Sequence, residues 1–85
     1  MTITARFSTI RTIECSKGFY IDIVYDSKQE LFYAWLFHED YGVKESMFGC
    51  PVEQPNGITT IEYFTELAIA NAPDYITSYE EDYMS

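Results

Sequence analysis

Alternating apolar and polar positions predict a β-sheet in the first half of the chain. Phe19–Asp26 alternates well, with the two aspartates on one face, which is typical of a half-buried strand. Leu31–His38 is apolar at both sets of alternating positions, which predicts a central strand covered, at least partly, on both sides. Val43–Phe48 predicts a further strand. Ile3–Ile13 is rich in Thr and Ile and predicts a strand whose alternation breaks at 7–10, through a bulge or an irregular edge.

Turn-forming residues separate these strands. Three polar segments predict tight turns, namely Ser16–Gly18, Ser27–Glu30 and Glu39–Gly42. The stretch 49–57 contains two prolines and an Asn-Gly pair and predicts a loop. Because short connections join successive strands most simply in antiparallel pairs, we expect a meander.

A helical period replaces the alternation after residue 58. Thr59 and Glu62 fit a capping box, in which the two side chains satisfy free backbone amides at a helix start. Apolar residues then recur at helical spacing, at Ile61, Phe64, Leu67 or Ala68, and Ala72. Pro73 cannot continue the helical hydrogen bonds, so we predict that the first helix ends at 71–73. A short second helix is predicted over Asp74–Tyr83.

The order of these elements predicts one α+β domain over residues 1–85. The expected architecture is an antiparallel sheet of three to four strands with one or two C-terminal helices packed on one face. Apolar residues make up 47% of the chain and aromatic residues 18%, which is enough apolar surface to support folding. Trp35 and Phe64 are predicted to belong to the core, where their substitution would unfold the domain.

The charge distribution is the most informative feature for function. The formal net charge is −9, and all five Lys and Arg residues lie before position 45. From Glu45 to Ser85 there are eight carboxylates and no Lys, Arg or His. Charge of one sign opposes compaction and attracts oppositely charged partners, so we expect a basic protein partner. Direct binding to nucleic acid is not expected, because neutralising phosphates requires Lys and Arg.

The sequence also predicts the protein's location. No apolar run approaches the ~20 residues of a membrane-spanning helix, and Met1–Arg6 lacks the apolar region of a signal peptide. We therefore expect a cytoplasmic protein without a membrane partner.

No pattern of residues predicts catalysis, a metal site or a cofactor. His38 is the only histidine, and its neighbours Glu39 and Asp40 make a general base conceivable, but no local signature marks a nucleophile. Zinc would need closely spaced Cys and His pairs, which Cys15 and Cys50 do not supply. We therefore predict a non-enzymatic protein. The two cysteines are interpreted as reduced thiols, with a single disulfide left open.

The residues predicted to bind a partner are acidic or are tyrosines beside acidic residues. Solubility alone is an alternative explanation for the carboxylates at 80–82, and core packing is an alternative for the tyrosines, which are otherwise typical of interfaces. The predicted contact residues are Glu39, Asp40, Tyr41, Glu62, Glu66, Asp74, Tyr79, Glu80, Glu81, Asp82 and Tyr83.

Several features together resemble the small phage-encoded anti-defence proteins, and anti-CRISPR proteins in particular. They are Phe19–Asp26, Leu31–His38, the acidic helix after Thr59 and the tail Tyr79–Tyr83, in a short acidic chain. The resemblance is to a class that is diverse in fold, and it transfers no individual residue role. It implies an inhibitor that occupies the basic nucleic-acid-binding surface of a Cas nuclease or surveillance complex by nucleic-acid mimicry. A phage-encoded protein of this kind would be located in the host cytoplasm.

Two other functions remain as alternatives. An immunity protein or antitoxin would use the same charge to neutralise a basic toxin. A structural or assembly subunit would instead self-associate through exposed aromatic residues, so a homo-oligomer is left open.

Overall fold

The computed structural model describes residues 5–84 and shows an α+β fold. Its main sheet has four antiparallel strands in the order β1-β2-β3-β4, with one helix packed against it. The strands of this sheet are β1 (Phe7–Glu14), β2 (Phe19–Asp26), β3 (Leu31–His38) and β4 (Lys44–Pro51). The remaining elements are a short hairpin of β5 (Glu53–Gln54) and β6 (Gly57–Ile58), the helix α1 (Ile61–Tyr79) and a π-helical segment (Glu80–Met84).

The two central strands have the predicted bounds. Ile21 pairs with Leu36 and Ile23 with Ala34, and these four residues face α1 and are almost fully buried. Cross-strand partners share one face of a sheet, so this register gathers the apolar residues of both strands under the helix.

The outer strands differ from their predicted forms in detail. In β1 the register shifts between Thr9 and Arg11, so Ile10 is the inserted residue of a bulge, where the alternation of the sequence breaks. Residues 3 and 4 of the predicted strand lie outside the described part of the chain. β4 extends to Pro51, past the predicted loop start at residue 49; proline is tolerated there because β4 is an edge strand.

The helix begins one residue later than the proposed capping box. Thr60 is the N-cap, and its hydroxyl accepts a hydrogen bond from the Tyr63 N–H at 3.2 Å. Thr59 is instead buried, and its backbone N–H donates to the Val52 carbonyl. The prediction that Thr59 and Glu62 form the cap is therefore wrong.

The predicted break at Pro73 is also wrong, because α1 continues through it to Tyr79. An internal proline costs about 3 kcal/mol through its missing N–H and its ring clash. The helix beyond it buries Ile76 and Tyr79 against the sheet, and this burial offsets the loss. The predicted second helix is thus the last part of α1 and the π-helical segment that follows.

The core lies between α1 and one face of the sheet. Phe64 is fully buried there, as predicted, and contacts Phe32 and Phe48. Trp35 lies on the opposite face, where it is half-buried and packs against Phe7. The prediction that Trp35 belongs to the core is therefore wrong. None of the described elements covers this second face of β3.

Candidate protein-interaction surfaces

Carboxylates from three separate segments meet at one end of the molecule, which we call the acidic pole. In an antiparallel meander, the end of β1, the turn from β3 to β4 and the start of β4 lie at the same edge of the sheet. The C-terminus of α1 packs over this edge, where the Tyr79 hydroxyl reaches the carbonyl of Val43. The carboxylates of the acidic pole are Glu14, Glu39, Asp40, Glu45, Glu80, Glu81 and Asp82.

Contacts among the side chains show that these segments are close. The Tyr20 hydroxyl donates to Glu39 Oε2 at 3.4 Å, and the negative charges of Glu39 and then of Glu14 raise the pKa of Tyr20. Glu14 and Glu80 line the same cleft between β1 and α1. Glu45 contributes to the raised pKa of Tyr79, although burial of the hydroxyl is the main cause.

Three of the five Lys and Arg residues pair with carboxylates outside the acidic pole. The salt bridges of Arg6, Arg11 and Lys44 go to Asp26, Glu62 and Asp22. Lys44 itself precedes Glu45 at the start of β4, and Lys17 lies in the turn between β1 and β2, so these two cations are at the same end of the sheet as the pole.

His38 organises the turns that carry the acidic pole. Its Nδ1 accepts the Asp40 N–H at 3.1 Å, so its Nε2 carries the proton and donates to the Lys17 carbonyl at 3.0 Å. Gly18 is required beside it, because its φ is +80° and a Cβ would lie 2.9 Å from His38 Nε2. Both ring nitrogens of His38 are thus engaged in joining two turns.

Tyr79 is a core residue and does not belong to the contact surface predicted for it. It has no exposed surface, its hydroxyl donates to the Val43 carbonyl at 2.8 Å, and its ring meets Phe19 edge-on at 5.3 Å. Tyr41 and Tyr83, in contrast, are exposed at the acidic pole. Of the predicted tyrosines, these two remain available to a partner.

Three predicted carboxylates lie away from the acidic pole. Glu62 and Glu66 are one turn apart near the start of α1, and Glu62 faces Arg11 of β1 at 3.9 Å. Asp74 is exposed on a different side of the helix, about 120° from Glu62 and Glu80 at 100° per residue. The predicted contact residues therefore do not form one continuous patch.

Glu14 and Glu45 are the pole residues that the sequence analysis missed. Both lie at strand ends beside predicted turns. A meander places these ends together, so strand order was the signal that could have identified them.

The uncovered side of the sheet is aromatic, and we call it the aromatic face. Tyr33 and Trp35 stack along β3 with centroids 6.4 Å apart, and Phe7, which is 43% exposed, contacts both rings. Tyr20 stacks on Phe37 at 5.5 Å. These rings shield one another in part and leave an apolar surface accessible.

Two buried carboxylates stabilise the aromatic face. Asp26 receives two hydrogen bonds from Arg6, both at 3.0 Å, and this pairing holds the pKa of Asp26 below its usual range. Asp22 receives hydrogen bonds from Thr12 at 2.7 Å and from Lys44 at 2.6 Å. Both carboxylates are occupied by hydrogen bonds from side chains of the same chain, so they are not interaction sites.

The two cysteines are far from one another. Cys15 and Cys50 are both free thiols; Cys15 directly follows the edge strand β1, and Cys50 lies on the opposite edge strand β4. Across residues 5–84, no three metal-ligating side chains come together, and no helix is long and apolar enough to span a membrane.

The chain matches no model of a known protein family, no curated protein and no solved structure. Its function therefore has to be inferred from its own residues.

Proposed function

We propose that this chain is a non-catalytic protein inhibitor that places its acidic pole on the basic nucleic-acid-binding surface of a nuclease or CRISPR-Cas effector. The observation that carries the proposal is the meeting of carboxylates from residues 14, 39–45 and 80–82, which are remote in sequence. Carboxylates at the end of a rigid sheet and helix offer a fixed array of negative charge, which is what a phosphate-binding channel recognises.

Local energetics support a functional reason for this arrangement. Glu80, Glu81 and Asp82 follow the C-terminus of α1, where the helix dipole disfavours anions by about 0.3–1 kcal/mol each at low salt. Solubility alone does not require charge of one sign, because surfaces of mixed charge also keep a protein soluble. Exposed Tyr41 and Tyr83 add the large, rigid contact area that is typical of interfaces.

The test is displacement of labelled DNA or RNA from purified CRISPR-Cas effectors and toxin nucleases. The pole variant combines Glu39→Gln, Asp40→Asn and Glu80→Gln. Each exposed ion pair is worth about 0.2–1 kcal/mol, so we expect this variant to bind roughly 3- to 100-fold more weakly. Raising the salt concentration should weaken wild-type binding.

A matched control separates the position of the charges from their number. The control variant combines Glu30→Gln, Glu53→Gln and Asp74→Asn, three exposed carboxylates away from the acidic pole. It has the same net charge as the pole variant and should bind nearly as well as wild type. Failure to displace nucleic acid from any effector or nuclease, or equal losses in both variants, would contradict the proposal. Displacement from a toxin nuclease alone would favour an immunity protein.

The aromatic face is the observation that favours the second candidate, an assembly subunit. An accessible sheet surface rich in Phe, Tyr and Trp is typical of faces that associate. Light scattering after size-exclusion chromatography tests this candidate. A stable oligomer that Phe7→Ser converts to a monomer would support it, and a monomer at high protein concentration would contradict it.

A further inference from the structure

A cleft of about 420 Å³ separates the edge strand β1 from the helix α1, and we call it the β1–α1 groove. Such a volume is within the range of about 300–1,000 Å³ that is usual for binding pockets. Ile69 is 50% exposed on its rim, so a large aliphatic side chain is accessible to a partner there. The apolar lining consists of Ile13, Cys15, Ile69, Ala72, Pro73 and Ile76.

The groove exists because α1 covers only part of the sheet. The helix packs over β2, β3 and β4, so Ile13 near the end of β1 and Cys15 just after it are only partly buried on the helix side. The Arg11–Glu62 ion pair joins β1 to α1 two turns before Ile69 and marks the end of the groove. Burial raises the pKa of the Cys15 thiol, so the thiol acts as an apolar lining group.

The outer edge of β1 beside the groove presents free backbone groups to a partner. The Cys15 N–H donates to the Phe19 carbonyl of β2 at 2.8 Å. Backbone groups of a strand point alternately to its two sides, so the N–H and C=O groups of Thr12 and Glu14 point away from β2. An open strand edge next to an apolar groove is the arrangement that accepts an added β-strand.

We propose that the β1–α1 groove binds an extended peptide segment of a partner protein, which adds to β1 as a fifth strand of the sheet. Its backbone pairs with Thr12 and Glu14. The side chain opposite Ile13 shares the face of Ile13 and therefore enters the groove. The groove follows α1 from Ile69 to Glu80, roughly 16 Å at the helical rise, which matches about five residues of strand.

The charges at the rim identify the chemistry of this segment. Glu14 and Glu80 line the groove, with Lys17 as the opposing cation, and Glu66 lies one turn before Ile69 on the same helix. This surplus of negative charge fits a peptide in which apolar residues alternate with Lys or Arg. A second copy of the chain is a poor occupant, because it would bring the acidic rims of two molecules with charge −9 together.

The test uses a short blocked peptide of alternating lysine and valine, followed by two-dimensional amide and methyl NMR of the labelled protein. We expect shifts at the amides of Thr12 and Glu14 and at the methyl groups of Ile69, with slower exchange of the two amides. A peptide with glutamate in place of lysine should bind at least several-fold more weakly, and one with a central proline should not bind.

Substitutions in the groove complete the test. Glu14→Pro removes the outward N–H and should abolish binding, whereas Glu14→Gln should weaken it by no more than about five-fold, the value of one exposed ion pair. Ile69→Ser changes an exposed residue, so it should leave the fold intact and still reduce binding. The proposal is overturned if the lysine–valine peptide causes no shifts up to about millimolar concentration, if the shifts lie only at residues 39–45 and not at Thr12, Glu14 or Ile69, or if the protein pairs with itself through β1. Because the peptide contacts neither Glu39 nor Asp40, a negative result here leaves the proposed inhibitor function to its own test.

Discussion

Tyr79→Phe is the substitution that best tests how the acidic pole is held together. The Tyr79 hydroxyl donates a hydrogen bond to the Val43 carbonyl at 2.8 Å, and this bond connects α1 to the segment between β3 and β4. The ring itself is buried against Phe19 and Tyr83, and phenylalanine retains that packing. The substitution therefore removes one hydrogen bond and little else.

The expected loss follows from the surroundings of that hydrogen bond. A net intramolecular hydrogen bond contributes about 0.5–1.5 kcal/mol. Val43 is 38% exposed, so water can reach its carbonyl after the substitution, and the loss should be near the middle of this range, about 1 kcal/mol. In a domain of this size such a loss lowers the Tm by about 4–8 °C. Tyr79→Ala also removes the ring and should cost about 3–5 kcal/mol.

Urea unfolding and amide exchange measure the two consequences. We expect faster exchange at residues 41–43 in Tyr79→Phe than in wild type, because this segment loses its attachment to α1. Tyr63→Phe is the control, since Tyr63 is 58% exposed, and it should change neither quantity. Equal Tm values and equal exchange for Tyr79→Phe and wild type would show that the hydrogen bond does not form in solution. That result would contradict the attachment of α1 to the segment between β3 and β4 at the acidic pole.

The same variant has a pH signature. Burial raises the pKa of Tyr79 in the folded protein, so its hydroxyl binds its proton more tightly when folded than when unfolded. The stabilisation of the folded state by this tighter proton binding is fully present below the pKa of an unfolded tyrosine, about 10. It is lost as the pH rises through the pKa of Tyr79 in the folded protein. Tyr79→Phe should therefore lose less stability than wild type between neutral pH and the alkaline range. If the free energy of unfolding falls equally with pH in the variant and in wild type, this prediction is contradicted.

Three further predictions concern the fold. Phe64→Ala should lower the free energy of unfolding by about 3–5 kcal/mol, whereas Trp35→Ala on the aromatic face should cost less, as measured by urea unfolding; equal losses would contradict this placement. Pro73→Ala should stabilise the protein by about 2 kcal/mol, because it removes a helix penalty of about 3 kcal/mol and the smaller entropic benefit of proline; a lower Tm would contradict this. Arg6 lowers the pKa of Asp26, so this pair's contribution is present above about pH 4 and is lost as the pH falls through the folded value. Asp26→Asn should therefore lose less stability than wild type as the pH falls. An equal loss of stability in acid for both proteins would rule out a stabilising role for the Arg6–Asp26 pair.

The sequence was sufficient for the sheet because local pattern and tertiary environment agree there. The predicted bounds of Phe19–Asp26 and Leu31–His38 match β2 and β3, and the break in alternation located the bulge in β1. Alternation of apolar and polar residues is enough to predict a strand when that strand has one buried face. The face of Trp35 could not be predicted, because an apolar run on both faces does not show which face the helix will cover.

Tertiary packing overrode local signals in the helix. Pro73 is a strong stop signal in isolation, but Ile76 and Tyr79 bury enough apolar surface beyond it to continue α1. Glu14 and Glu45 were not among the predicted contact residues, because they acquire their acidic neighbours from strand order and not from nearby residues in the chain. Long-range arrangement of this kind follows from topology, which local periodicity does not encode.

The acidic pole and the β1–α1 groove share Glu14 and Glu80, so one basic partner with an extended segment would contact both surfaces at once. Their salt dependence differs. Contacts at the exposed pole are screened within a Debye length of about 10 Å at 0.1 M salt, whereas strand pairing and burial of an apolar side chain in the groove are not. For such a partner, added salt should slow association and leave a residual affinity that Ile69→Ser removes and Glu39→Gln does not. Loss of all binding at high salt would show that the pole acts alone.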